Sequence, residues 1–217
     1  MIILGIDPGL AHTGWGIIET KGSVCRARAY GCITTHAAES LDRRLGSIYD
    51  GIEQAICTYA PAEVAIEKIF FGENTASAIA TAHARGAALV ACARAGIVLG
   101  EYTPMQIKQA VVGTGSADKR QVIYMVRTIL KLDHDPRPDH CADALAAAIC
   151  HHNAQSTQRL AYKSASVQML EQLTAQQAYE RTLAREHTQA ATQAHADYAH
   201  GKGNVMNKTR QSRRNSS

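Results

Sequence analysis

Three acidic residues stand where apolar sequence gives way to a turn or a helix start. Asp7 follows Ile2-Ile3-Leu4-Gly5-Ile6, Glu67 follows Val64-Ala65-Ile66, and Asp143 lies in an alanine-rich run. Carboxylates gathered from such positions repel one another. Hard divalent cations with oxygen ligands relieve that repulsion, and Mg2+ is the natural occupant. Two such ions about 4 Å apart can clamp a scissile phosphate, one activating water and the other stabilising the leaving oxygen. The pattern points to phosphodiester hydrolysis. Near the last acid, His140 lies three residues and Asp139 four residues before Asp143, so on a helix either shares its face, and either can join the cluster.

The elements that must position these residues are legible from hydrophobic period and punctuation. Ile2–Asp7 reads as a buried strand ending in the turn signal Asp7-Pro8-Gly9. Thr13–Glu19 and Val24–Thr34 are further strands joined by Lys21-Gly22-Ser23, giving an antiparallel meander. A helix is expected from about Ser40 to Tyr59, because Leu41, Leu45, Ile48, Ile52 and Ile56 mark one face, and Pro61 ends it. Glu63–Glu67 reads as a second central strand that, like the first, finishes in a carboxylate. An alanine-rich helix over Thr75–Ala95 stops at Gly96, and Ile97–Tyr102 is a last short strand. Ser116 reads as the N-cap of a helix with Val122, Met125, Val126, Ile129 and Leu132 on its inner stripe. Pro136 and Pro138 precede a final helix from about Asp139 to His151, where His151 and His152 are expected to meet the helix dipole. Gly9, Gly14 and Gly16 suit tight turns or close backbone approach. Strands first, then alternating helices and strands, give an α/β sheet protein with helices on both faces.

Charge divides the 217 residues unevenly. Residues 1–157 carry 14 Lys/Arg against 15 Asp/Glu, whereas residues 158–217 carry 9 against 4. The expected organisation is a domain over 1–157 followed by a basic tail over 158–217, part helical and part disordered. Its weak helical stripe is Met169, Leu173, Tyr179 and Leu183. Five basic residues and no acid follow from Lys202 onward, a composition suited to phosphate. The six cysteines form no Cys-x-x-Cys pair and read as reduced thiols. No basic leader precedes an apolar stretch, and no segment reaches the roughly 18 apolar residues of a membrane span, so a soluble, cytoplasmic protein is expected.

Four separated motifs, in order over roughly residues 1–155, resemble the RuvC family of Holliday-junction resolvases. They are Gly5-Ile6-Asp7-Pro8-Gly9-Leu10 with Thr13-Gly14-Trp15-Gly16, Ile66-Glu67 with Phe70, Val111-Val112-Gly113-Thr114-Gly115-Ser116-Ala117, and Ala142-Asp143-Ala144-Leu145-Ala146. The resemblance implies an RNase H-like mixed sheet and a homodimer that cuts two strands of four-way junction DNA symmetrically. It also implies Mg2+ as cofactor, two ions per subunit with Mn2+ able to substitute, 5′-phosphate and 3′-hydroxyl products, and RuvA and RuvB as partners. The family's acidic tetrad falls on Asp7, Glu67, His140 and Asp143. The third position departs from the commonest pattern, an aspartate three residues before the last acid. Some members carry histidine there, so His140 is expected to be a ligand or proton-transfer residue, with Asp139 as the alternative.

The same resemblance makes Phe70 the ring that stacks on unpaired bases near the crossover, with Phe71 as the alternative. A base–aromatic stack is worth about 1–3 kcal/mol. Lys108 and Lys119 match basic residues facing DNA, and Arg120 stands beside the second. The alanine-rich helix at 75–95 is a candidate dimer surface. Two rival functions share parts of the pattern. An actin-like ATPase also begins with a strand and an Asp-x-Gly turn, but needs a second similar domain, and the Asp7 motif is not repeated. A junction-binding scaffold would follow if His140 had disabled the metal site.

Overall fold

The computed structural model describes residues 1–69 and 75–157, with short helical stretches at 167–170, 172–174, 176–177 and 180–181. The chain divides into two units, Met1–Gln158 and Arg159–Ser217. In the second unit Met169 and Leu173 are exposed; Tyr179, Leu183 and the basic terminal segment lie outside the described residues, as do Phe70 and Phe71.

The first unit is built on a five-stranded sheet ordered β3-β2-β1-β4-β5. Strands β1 (Ile2–Asp7), β2 (His12–Lys21) and β3 (Val24–Thr34) form the antiparallel meander, with Asp7 opposite Gly14 and Ile3 opposite Ile18. β4 (Glu63–Glu67) runs parallel to β1, and β5 (Val98–Tyr102) parallel to β4. The mixed sheet arises because the long connections through α1 (Leu41–Tyr59) and α2 (Thr75–Arg94) return the chain in the same direction.

Side chains alternate across each strand, so neighbouring residues feed different cores. Leu4 and Ile6 of β1, Ile17 of β2, and Val64 and Ile66 of β4 pack with Ile52 and Ile56 of α1 and Ala88, Ala91 and Cys92 of α2. Ile3, Ile18 and Ala65 face the other way. They pack with α3 (Pro104–Val112), α4 (Lys119–Leu130) and α5 (139–157) through Ile107, Val111, Val126, Leu145 and Ile149. Helices thus cover both faces of an RNase H-like sheet. Each fully buried Ile or Leu contributes roughly 1.5–3 kcal/mol.

Three local features depart from the sequence expectations. Helix α3 was not anticipated, although Thr103 caps it with a reciprocal Thr103–Gln106 box and Pro104 stands at its start. The N-cap of α4 is Asp118, which accepts from the Gln121 backbone at 2.9 Å; Ser116 instead shares a 3.0 Å hydrogen bond with Thr114. Helix α5 continues to residue 157, so His151 and His152 are buried within it and do not sit at its end. Gly14 and Gly16 serve the approach of a helix, as described below. All six cysteines are free. Among the described residues, no helix is long and apolar enough to cross a membrane.

Candidate active site

Alternation decides where the acids point. Asp7 has the parity of Ile3 and Gly5 on β1, and Glu67 that of Ala65 on β4, so both carboxylates fall on the α5 side. Ile6 pairs with Ile66, which places the two acids on adjacent strand ends. The turn after β1 is stapled: Thr13 Oγ1 donates to the Gly9 carbonyl at 2.8 Å, and Thr35 Oγ1 to the Leu10 carbonyl at 2.6 Å.

Glycines let α5 come down onto these strands. A Cβ on Gly5 would lie 1.9 Å from the Ala144 carbonyl oxygen, one on Gly14 2.0 Å from that of His140, and one on Gly16 2.7 Å from Leu145. With Gly5 opposite Gly16 and Asp7 opposite Gly14, the three bare positions form a trough across β1 and β2. The first turns of α5 lie in it and carry His140 and Asp143 to Asp7. The N-terminal end of a helix also favours carboxylates placed there.

His140 Nδ1 lies 2.8 Å from Asp7 Oδ2, and Lys119 Nζ donates to Asp143 Oδ2 at 2.9 Å while standing 3.9 Å from Asp139. Single ligand atoms of Asp7, His140 and Asp143 all lie within 4.8 Å of one another. A cleft of about 350 Å³ holds Asp7, Glu67, Lys108, Lys119, His140 and Asp143 against an apolar wall of Ile107 and Val122. The Asp7 side chain is 17% exposed, protected yet open to solvent.

Electrostatics record unrelieved negative charge. Burial, then the charges of Asp7 and Asp143, push the Glu67 carboxyl up to about 7, against the opposing pull of Lys108 and Lys119. Burial also raises Asp143, opposed by the hydrogen bond from Lys119. The hydrogen bond to Asp7 raises His140 above the usual imidazole range. Burial alone would lower Lys119, but its bond to Asp143 and the surrounding acids outweigh that and raise it. Two ammonium groups and one imidazole therefore still leave Glu67 and Asp143 raised. Oxygen donors with one ring nitrogen suit a hard divalent cation, so the donor set fits the metal that the sequence implies.

Of the residues singled out in the sequence, Asp7, Glu67, His140, Asp143, Lys108 and Lys119 line one cleft. Asp139 turns to Arg137, whose Nη1 donates to it at 2.7 Å. Arg120 lines a different cleft with Asp118, Gln121 and Tyr124. Phe70 falls outside the described residues.

Two neighbours were missed. The His12 ring stacks on His140 with centroids 5.5 Å apart and planes 25° from parallel. Arg85 donates to the Glu67 carbonyl at 3.3 Å and pairs with Glu101. His12 opens the strand whose Gly14 faces Asp7, so the Asp7-to-Gly14 turn length was a usable signal. Arg85 carries no comparable sequence cue, since its place depends on how α2 crosses the sheet.

Known proteins are similar to this chain over the same region. The family described as Crossover junction endodeoxyribonuclease RuvC matches residues 3–151. A crossover junction endodeoxyribonuclease RuvC of Desulforamulus reducens is 49% identical over 157 residues, covering 72% of this chain and 96% of the relative. That of Clostridioides difficile is 49% identical over 159 residues, covering 73% and 94%. A solved structure of T. thermophilus RuvC in complex with Holliday junction substrate matches with a TM-score of 0.70 and 38% identity, covering 73% of this chain and 96% of that one. With the matched residues spanning the sheet, the glycine trough and the three acids and one histidine of the cleft, the chain belongs to the RuvC family of crossover junction endodeoxyribonucleases.

Proposed function

We propose that this endodeoxyribonuclease resolves four-way DNA junctions by paired symmetric cuts, using Mg2+ held by Asp7, Glu67, His140 and Asp143. The convergence of those side chains, from two strand ends and one helix, on a single under-compensated cleft carries this reading. Support for the substrate comes from the T. thermophilus relative seen with a Holliday junction.

When bound, divalent ions supply charge compensation and Lewis-acid activation of water and of the scissile phosphate. The chain's own groups do the rest. Asp7, Glu67 and Asp143 would hold the cations, and Glu67 is placed to take a proton from water. His140, with its Nδ1 toward Asp7 Oδ2, carries a proton to or from the reacting oxygens or serves as a ligand. Lys119 pairs with Asp143, and with Lys108 it is assigned to phosphate contact. In-line attack leaves 5′-phosphate and 3′-hydroxyl ends. Arg120, on its neighbouring cleft, is assigned to an adjacent stretch of backbone, and Phe70 to stacking on unpaired bases.

A junction with approximate two-fold symmetry calls for a protein of the same symmetry, hence a homodimer with one cut per subunit. Exposed Ile79 and Val90 on α2 suit that contact. RuvA and RuvB are proposed as branch-migration partners and the cytoplasm as the setting. Residues 1–157 are assigned the nuclease activity, and the basic residues of 158–217 sequence-independent attraction to DNA.

Incubation with a four-way junction and a matched linear duplex in Mg2+ tests this. Wild type should nick the junction in symmetric pairs, while Asp7→Asn should bind it and lose cleavage by about three orders of magnitude. Equal cutting of both DNAs, or an active Asp7→Asn, would contradict the assignment. Repeating the binding step without residues 158–217 should flatten its salt dependence; an unchanged slope removes the tail from DNA binding.

A further inference from the structure

Far down α5 from the cleft lies a second polar group, centred on a buried histidine with two half-buried partners. His151 is 1% exposed; its Nε2 is 2.6 Å from Glu63 Oε2 and its Nδ1 2.8 Å from Tyr102 Oη. Glu63 opens β4, and Tyr102 closes β5. Nε2–H donates to the carboxylate, which leaves Nδ1 to accept from the phenol. Burial raises the Tyr102 phenol and so keeps it a donor. Gly100 of β5 makes the space: a Cβ there would lie 2.3 Å from His151 Nδ1. A ring in a slot, tied to two strands, is more than a tolerated core histidine requires.

The position of this group along α5 matters. α5 runs antiparallel to β4, with Asp143 at the Glu67 end and His151 at the Glu63 end. From Asp143 to His151 is eight residues of helix, about 12 Å. From Glu67 to Glu63 is four residues of strand, about 13 Å. The two spans match, so fastening His151 to Glu63 sets Asp143 against Glu67. Near the trough α5 offers the Ala144 backbone and the Ala148 methyl to Gly5, a close steric contact. Leu145 over Gly16 fixes the helix across β2. Directional hydrogen bonds in a low-dielectric interior do the corresponding work at β4 and β5.

We propose that Glu63, His151 and Tyr102 form a register lock that holds α5 at the setting along β4 where Asp143 and Glu67 share a cation. They are positioning residues, touching neither DNA nor metal. This rests on the metal-site reading above. A lock of this kind raises metal affinity by pre-forming the ligand spacing, whereas a merely structural contact raises only the melting temperature.

The test is Mn2+ titration of the full chain without DNA, followed by the loss of the free Mn2+ electron paramagnetic resonance signal, with melting temperatures measured in parallel. Wild type should bind. His151→Phe, which fills the slot but breaks both bonds, should bind about ten-fold more weakly, in the range seen when supporting partners of metal ligands are lost. His151→Gln, whose amide can donate to Glu63, should recover most of the affinity. Equal Mn2+ binding by wild type and His151→Phe, with only the melting temperature lowered, overturns the lock and leaves the metal site standing. No Mn2+ binding by wild type overturns the metal-site reading and the lock together. If His151→Phe does not fold, Tyr102→Phe decides: it loses one bond of the chain and should show a smaller weakening in the same direction, and unchanged affinity overturns the proposal.

Discussion

Glu67 concentrates the tension of the cleft in one carboxyl. Its folded-state value of about 7 stands above the ordinary 4.5. Between those values the folded protein holds more protons than the unfolded chain, so stability falls as pH rises through the window. The raised Asp143 adds to this with the same sign. The raised His140 extends the loss upward, because its favourable charged form disappears as pH passes its folded-state value. In metal-free buffer, urea unfolding should show stability dropping by roughly 3 kcal/mol at most for the Glu67 contribution between about pH 4.5 and about pH 7.5. Glu67→Gln should flatten most of that fall, and Mg2+ should reverse it in the wild type. A metal-free protein that grows more stable across the same interval would show that the carboxylates are not crowded together.

The elements deliver these residues through two devices, and the devices differ in how plainly sequence displays them. Strand alternation is written in Ile2–Asp7 and Glu63–Glu67, so two acids at matching strand ends could be read directly. The glycine trough is written as Gly5, Gly14 and Gly16, but its purpose is not: only the antiparallel register brings Gly5 opposite Gly16 beneath a helix more than 120 residues further along. Gly5→Ala should therefore lift α5 from β1, costing about 2–3 kcal/mol as overpacked cores do. Gly46→Ala, at an exposed position of α1 with nothing within 4 Å of its added Cβ, should gain up to about 1 kcal/mol. Denaturant midpoints measure both, and equal effects of the two substitutions would deny the trough its role. Short α3 escaped notice because its nine residues carry just two buried apolar positions, Ile107 and Val111. The true cap of α4 was obscured by Ser116, a good capping residue two positions too early. His151 could not be read as buried, because its partners Glu63 and Tyr102 lie 88 and 49 residues away.

At the scale of the whole molecule, the candidate cleft rests on strands β1 and β4 and helix α5, all within Met1–Gln158. The basic excess lies beyond them, in residues 158–217. On the proposed function, this division separates a metal-centred cutting unit from a source of general phosphate attraction. The cutting unit depends on one claim, that acids from distant parts of the chain trap divalent ions beside the DNA strand. Anomalous diffraction from crystals soaked in Mn2+ tests it most directly. The expected result is one or two peaks, about 4 Å apart when both are filled, within bonding distance of Asp7, Glu67 and Asp143, with His140 alongside. Ordered Mn2+ found only away from these side chains, in crystals of a protein that still cuts junctions, would contradict it.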